Sequence, residues 1–261
     1  MRIYVCVKQV PDTSGTVAVN PDGTLNRASM QTIINPDDLA AMEQALLLKD
    51  ATGCQVTAVT MGPPPAEGML RELLAMGADD AILISAREFG GSDTCATAII
   101  ISTALKKIGY DLVITGRQAI DGDTAQVGPQ IAENLRIPQV SYAEEVDIAG
   151  DVVTVKRQYE DRYHLIDVKL PCLLTALQEL AEPRYMHAGG IIDAYEKEVK
   201  VLGFDDLKDD LNPDFIGLNG SPTKVVTSFG KMAKGAGTKL EVGADEAVAA
   251  IIAKMEERHI I

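Results

Sequence analysis

Positive charge is scarce in this chain of 261 residues: 24 Lys and Arg stand against 38 Asp and Glu, a formal net charge of −14. A general nucleic-acid or anionic-membrane surface needs clustered cations to displace counterions, so neither partner is expected. Long apolar runs are missing too. The best candidate, residues 97–105, is interrupted by Ser102 and Thr103 and falls far short of the roughly 20 residues a membrane-spanning helix needs, so no membrane insertion is expected. The apolar stretch at 3–7 is too short for the core of a signal peptide and alternates like the first strand of a fold, which makes the cytoplasm the expected compartment.

Residues that usually carry chemistry are few and badly spaced for it. Cys6, Cys54, Cys95 and Cys172 lie far apart without a C-x-x-C pair, and the only histidines are His164, His187 and His259, so no zinc-type spacing exists. Each cysteine sits among Val, Ala or Leu and reads as a small buried hydrophobe. Three histidines leave little room for a catalytic triad, and the paired carboxylates Asp37-Asp38, Asp79-Asp80 and Glu144-Glu145 are adjacent and so point in different directions. No catalytic residue and no metal ligand is assigned. Neither G-x-G-x-x-G nor G-x-x-x-x-G-K-[ST] occurs, which removes the usual arguments for an NAD site or a P-loop. Gly90-Gly91-Ser92-Asp93 superficially matches the phosphate loop of ATP pyrophosphatases. That loop opens with serine after the first strand, whereas here Phe89 precedes the glycines after the third strand, so a plain loop with Asp93 as helix N-cap is expected.

What is present is a repeated βα pattern. Short apolar runs rich in β-branched residues at 3–7, 55–61, 81–84 and 112–115 alternate with helical patterns at 36–50, 66–76, 93–108 and 123–135. Strands apolar on both faces must be covered by helices on both sides, so the expected fold is α/β, a doubly wound, mostly parallel, Rossmann-like sheet. Asn35-Pro36-Asp37-Asp38 offers a cap, a first-turn proline and two first-turn acids, while Gly53 and Gly77 stop the first two helices. After Pro138 the pattern changes to alternating runs at 140–148, 152–157 and 164–170, read as antiparallel hairpins added to the sheet. Residues 171–176 read as another buried strand. Beyond Lys200 periodicity fades for about 40 residues, a stretch rare inside compact domains. A helix follows with Ala247, Val248, Ile251, Ile252 and Met255 on one face. The expected organisation is a nucleotide-binding α/β domain at 1–200 and, at 201–261, an extended C-terminal arm and helix that dock on a partner.

The densest signal runs from Asp111 to Pro129: an apolar strand, a loop holding Gly116 and Gly122, then Asp123-Thr124 placed to cap a helix. Free N–H groups at a helix start together with the positive end of its dipole make an anion site. The glycines allow close backbone approach, and small Thr124 and Ala125 leave room for a phosphate.

The residues Val5-Cys6-Val7-Lys8-Gln9-Val10-Pro11-Asp12, Asn35-Pro36-Asp37-Asp38, Ala75-Met76-Gly77-Ala78-Asp79, Glu182-Pro183-Arg184-Tyr185 and above all Gly116-Arg117-Gln118-Ala119-Ile120-Asp121-Gly122-Asp123 resemble the β subunit of electron transfer flavoproteins. The resemblance implies a heterodimer with a larger α subunit and a sheet that holds an adenine nucleotide, either AMP or the ADP half of an FAD. By motif position the site residues would be Cys6, Val7, Asn35, Asp37, Asp38, Met61, Gly116, Arg117, Gln118, Ala119, Ile120, Asp121, Gly122, Asp123, Thr124, Ala125, Gln126 and Val127. The segments around Asn35 and Asp121 look like the bifurcating type. There NADH delivers electrons to FAD, one passing to a low-potential carrier (ferredoxin or flavodoxin) and one, through the α-subunit FAD, to an acyl-CoA dehydrogenase. Met186-His187-Ala188-Gly189-Gly190 departs from the carrier type, which has a leucine anchor for dehydrogenases there. A non-bifurcating carrier with structural AMP and a universal-stress-type nucleotide-binding protein are the alternative readings.

Overall fold

Buried, nearly continuous apolar runs become the parallel strands of the central sheet, in a computed structural model that describes residues 1–12, 31–224, 226, 237 and 239–261. The first strands are β1 (Arg2–Cys6), β2 (Gln9–Pro11) and β3 (Thr32–Ile34), followed by helix α1 (Pro36–Thr52), β4 (Gln55–Met61), α2 (Glu67–Met76) and β5 (Asp80–Ile84). Then come α3 (Thr94–Ile108), β6 (Leu112–Gly116), α4 (Val127–Leu135), β7 (Gln139–Ala149), β8 (Val152–Gln158), β9 (Tyr163–Lys169) and β10 (Cys172–Ala176). The chain continues through α5 (Ala188–Glu196), β11 (Val199–Leu202), α6 (Phe204–Leu207), α7 (Gly217–Gly220) and α8 (Ala244–Glu257). It divides into two compact units, Met1–Val226 and Thr227–Ile261.

In the first unit nine strands lie in the order β11-β5-β4-β1-β6-β10-β7-β8-β9. All neighbours from β11 to β7 pair in parallel, while β7-β8 and β8-β9 are antiparallel. This is the doubly wound sheet with added hairpins that the sequence pattern predicts. Each face carries its own apolar layer, as a sheet fed by right-handed crossovers requires. On one, Met42, Leu46, Leu70 and Leu73 pack on Ile3, Val56 and Ile114; on the other, Ile100, Leu105 and Ile131 pack on Val59, Val113 and Leu173. Gly53 ends α1 in the left-handed conformation and returns its N–H to the Lys49 carbonyl, the glycine stop its position suggests.

The loss of periodicity after residue 200 has a physical cause. β11 adds a parallel strand beside β5 and buries Leu202 in the second apolar layer, and the short turns that follow send single anchors, Leu207, Leu211 and Ile216, into the same layer. A segment that buries one side chain per turn shows no repeat for a periodicity argument to detect. The compact unit therefore runs on through Val226. Gly235 and Ala236, within the stretch read as an arm, lie outside the described residues. Within the second unit α8 forms as its stripe predicts, with Val248, Ile251 and Ile252 exposed and none of its side chains buried. No helix among the described residues is long and apolar enough to cross a membrane.

One packing contact fixes α4 against the sheet. A Cβ at Gly128 of α4 would stand 2.6 Å from Thr115 Oγ1 and 2.8 Å from Thr175 Cγ2, whereas one at Gly122 would meet nothing within 4 Å. Overpacking a tight contact costs about 1–3 kcal/mol. Gly128→Ala is therefore expected to lower the unfolding free energy measured in urea by that amount, with a lower midpoint, and Gly122→Ala to leave stability within about 0.5 kcal/mol of the parent. Equal midpoints for the two variants would contradict the packing described.

Candidate nucleotide site

In the order β5-β4-β1-β6-β10 the winding reverses between β1 and β6, and the crevice beyond the carboxyl ends at such a reversal is where open α/β sheets take ligands. The start of α1 closes this crevice from one side. Asp38 Oδ2 accepts the Lys8 N–H at 2.8 Å and its Oδ1 accepts the Gly116 N–H at 2.8 Å, so one carboxylate joins the exits of both strands. Asn35 donates its Nδ2–H to the Gln118 carbonyl at 2.8 Å and accepts the Ile120 N–H on Oδ1 at 3.1 Å.

One role expected from sequence changes here. Asn35 does not cap α1, which has no side-chain cap bond. Its fully buried amide instead supplies both the donor and the acceptor that the backbone of the 117–120 loop needs, because buried peptide groups must be paired. Gly116 also makes room for the helix start: a Cβ there would lie 2.2 Å from Asp38 Oδ1 and 2.8 Å from Asp37 Cβ.

Burial pushes the Asp38 carboxyl up to about 7, with the N–H of Lys8, the Asn35 amide and the Gly116 N–H opposing and the charge of Asp37 adding to it. Asp37 is raised, again chiefly by burial, with Arg117 opposing. Arg117 Nε stands 3.5 Å from Asp37 Oδ2, an ion pair in which neither atom makes a hydrogen bond. Burial, and next the nearby Asp38 charge, push the Cys6 thiol up to about 12, so it stays a neutral thiol. Val7 is buried, its N–H on the Val59 carbonyl at 2.8 Å, and Met61 packs half-buried against the second apolar layer.

The loop leaving β6 folds into a turn, with the N–H groups of Gly122 and Asp123 both on the Ala119 carbonyl, at 3.1 and 2.8 Å. Gln118 Nε2 donates to Asp123 Oδ1 at 3.0 Å, and Lys8 Nζ pairs with Asp121 at 2.7 Å. This turn corrects the expected helix boundary: α4 begins at Val127 after Gln126, and Asp123 does not cap it. Asp123 and Ala125 instead have φ of 48° and 52°, left-handed values that cost a non-glycine residue roughly 1–2 kcal/mol. Ala125 precedes Gln126 at φ −105°, ψ −32°, and a left-handed residue followed by a right-handed one turns successive N–H groups toward a common point.

The N–H groups of Thr124, Ala125, Gln126, Val127 and Gly128 donate to no group of the chain among the described residues. Strain and five unspent donors at a helix start make an anion cradle built from peptide dipoles. Nearby side-chain cations are already engaged, Lys8 by Asp121 and Arg117 by Asp37. Of the expected site residues, Cys6, Val7, Asn35, Asp37, Asp38 and Gly116 are buried framework. Arg117, Gln118, Ala119 and Ile120 are half-buried, and residues 121–124 and Gln126 are exposed. Sequence reasoning missed Lys8, which latches Asp121, and Thr94, whose Oγ1 donates to Gln126 Oε1 at 2.9 Å. Lys8 stands one residue past the expected Val7, the only sequence signal it offered. Asp93 and His187 are helix caps, accepting from Ala96 N and Gly190 N.

Because folded Asp38 holds its proton up to about pH 7 against an ordinary value of 3.8, the folded chain binds more protons than the unfolded one between those values. Its contribution is complete at the acid end and is lost as pH rises through the folded value. Asp38→Asn lacks this titration and retains an acceptor for only one of the two N–H groups. Its stability deficit against the parent is therefore expected to be largest near pH 4 and to shrink toward pH 7, at up to about 1.4 kcal/mol per pH unit. Urea unfolding of both proteins across that range measures it, and a pH-independent deficit would contradict it.

The family model described as the electron transfer flavoprotein domain matches residues 22–207. The acryloyl-CoA reductase electron transfer subunit gamma of Anaerotignum propionicum is 61% identical over 267 residues, covering 100% of both chains. The electron transfer flavoprotein subunit beta of Clostridium acetobutylicum is 51% identical over 262 residues, and the caffeyl-CoA reductase-Etf complex subunit CarD of Acetobacterium woodii is 50% identical over 265, each with 100% of both chains covered. With its switch-point crevice, its cradle of unspent N–H groups and an end-to-end match to these subunits, the chain belongs to the electron transfer flavoprotein family, on the side of its β subunits.

Proposed function

We propose that this chain is the β subunit of a bifurcating electron transfer flavoprotein and that residues 124–128 hold the pyrophosphate of an FAD. The observation that carries the reading is the row of five unspent N–H groups from Thr124 to Gly128. A row of donors with little side-chain bulk, as Thr124, Ala125 and the open space at Gly122 provide, suits a pyrophosphate that continues into a longer ligand. When bound, the flavin supplies the one- and two-electron chemistry, and the protein supplies binding, orientation and electrostatics. Asp38 and Asn35 hold the loop in place, and Lys8 fixes its outer turn through Asp121.

NADH as donor, ferredoxin or flavodoxin as low-potential acceptor, and an acyl-CoA dehydrogenase as the other acceptor complete the reading. Two relatives named for acryloyl-CoA and caffeyl-CoA reductases support a partner that acts on acyl-CoA thioesters. The C-terminal arm is proposed to dock on the α subunit, supported by the exposed Val248, Ile251 and Ile252 of α8.

Ala125→Glu puts an anion beside the cradle, and nucleotide retained after gel filtration of the heterodimer is expected to fall sharply. Ala125→Gly, which takes a φ of 52° without strain, is expected to keep it. Wild-type nucleotide in the Glu variant would misplace the site. Acid-released cofactors of the wild-type heterodimer are expected to be two FAD and no AMP, with NADH bleaching the flavin directly. One FAD with one AMP per heterodimer would return the protein to the simple carrier class.

A further inference from the structure

The carboxyl edge of the sheet carries a second cluster that the phosphate cradle leaves unused. β7 breaks its ladder at Tyr142, whose φ of 59° is an outlier for a bulky residue. Its N–H leaves the sheet for Thr175 Oγ1 at 3.1 Å, and the register against β10 shifts between Leu174 and Ala176. The break sets the Tyr142 ring centroid 6.0 Å from the Arg117 guanidinium and 5.9 Å from that of Arg157. Arg157, paired with His164 across the β8-β9 ladder, also stands 4.7 Å from the Tyr159 centroid and donates an Nη1–H to the Tyr159 hydroxyl at 2.7 Å. The Tyr159 and His164 rings in turn lie 4.4 Å apart.

Two cations held on one ring are conspicuous in a chain of net charge −14, and most of their hydrogen-bonding capacity is unspent. The Nε of both arginines is buried without an acceptor. The Arg117 guanidinium is ion-paired with Asp37 through Nε at 3.5 Å but makes no hydrogen bond among the described residues, and Arg157 makes one and joins no ion pair there. Forked guanidiniums match the paired oxygens of phosphate groups. Tyr142 and Tyr159 remain 36% and 37% exposed, offering rings on which a heterocyclic base can stack. A simple phosphate would need no rings, and an apolar ligand no guanidiniums; the two together describe a nucleoside diphosphate. Arg157 in β8 lies three strand spacings from β6, roughly 14 Å along the sheet, so the cluster extends well beyond the cradle.

We propose that Arg117, Tyr142, Arg157 and Tyr159 form a second nucleotide subsite, for a nucleoside diphosphate moiety, beside the cradle at residues 124–128. The inference rests on the proposed function in one respect: the cradle is already filled in the purified heterodimer.

ADP titrated calorimetrically into the holo-heterodimer tests it. One further ADP is expected to bind per heterodimer without release of resident cofactor. Arg157→Gln is expected to weaken that binding at least tenfold, and Tyr159→Leu to weaken it measurably, while acid-released cofactor content stays at the parent level in both. No ADP binding, or parental affinity in both variants, would overturn the proposal. Binding by the free chain but not the heterodimer would also overturn it and make the cluster a subunit contact. If ADP displaces the resident cofactor, the proposal fails while the cradle assignment stands; if the heterodimer carries no cofactor before ADP is added, it is the proposed function that fails.

Discussion

Asp38 accepts the N–H of Lys8 on one oxygen and that of Gly116 on the other, and the geometry of the whole crevice depends on that bridge. β1 and β6 are paired through Cys6 and Thr115, after which their chains separate into different loops. Beyond that point no ladder bond holds them at a set distance. A carboxylate from the first turn of α1 takes over, and it demands that α1 come so close to β6 that only glycine fits at 116. Burying a carboxylate among peptide dipoles rather than beside a cation raises its pKa, so the link carries a desolvation cost that a salt bridge would reduce.

The same preference for dipoles over cations runs through the cradle. With its lysine and arginine neighbours paired to Asp121 and Asp37, the loop presents five free N–H groups and holds two non-glycine residues in left-handed backbone to aim them. Peptide donors attract an anion without adding mobile side chains, and the turn on Ala119, with Asn35 behind it, keeps them from relaxing into a regular helix. In a chain of strong net negative charge, whose overall field opposes an anion, peptide donors concentrated at one point are the local counterweight.

Farther along the edge the logic is reversed. Tyr142 and Arg157 come from the strands added after the parallel core, and there side-chain cations stand on aromatic rings with few partners. The β7-β9 extension therefore does more than cover the sheet edge: its bulge at Tyr142 brings residues of three separate segments, the β6 loop, β7 and β8, to one place.

Much of this molecule was legible from its residues. The doubly wound sheet, the hairpins after Pro138, the glycine stop at 53, the Asp93 cap and the stripe of α8 follow from local rules: burial on two faces, period two or 3.6, and capping chemistry acting within a few residues. The run from Gly116 to Asp123 marked a candidate site for the same reason, since a glycine-containing loop between strand and helix is itself a local signature. Tertiary structure decided what each residue there does. Asn35 left its cap to serve a loop more than eighty residues away in sequence, Gly116 proved to make room for Asp38, and α4 began at Val127 because the turn on Ala119 claimed the backbone before it. β11 and the single anchors after it could not be read, because one buried side chain per turn carries no period. The sequence by itself determined the elements and marked a loop with the local signature of an anion site, since those rest on neighbours along the chain; which groups would be spent on the framework and which left without a partner depended on contacts that only folding brings within about 3 Å.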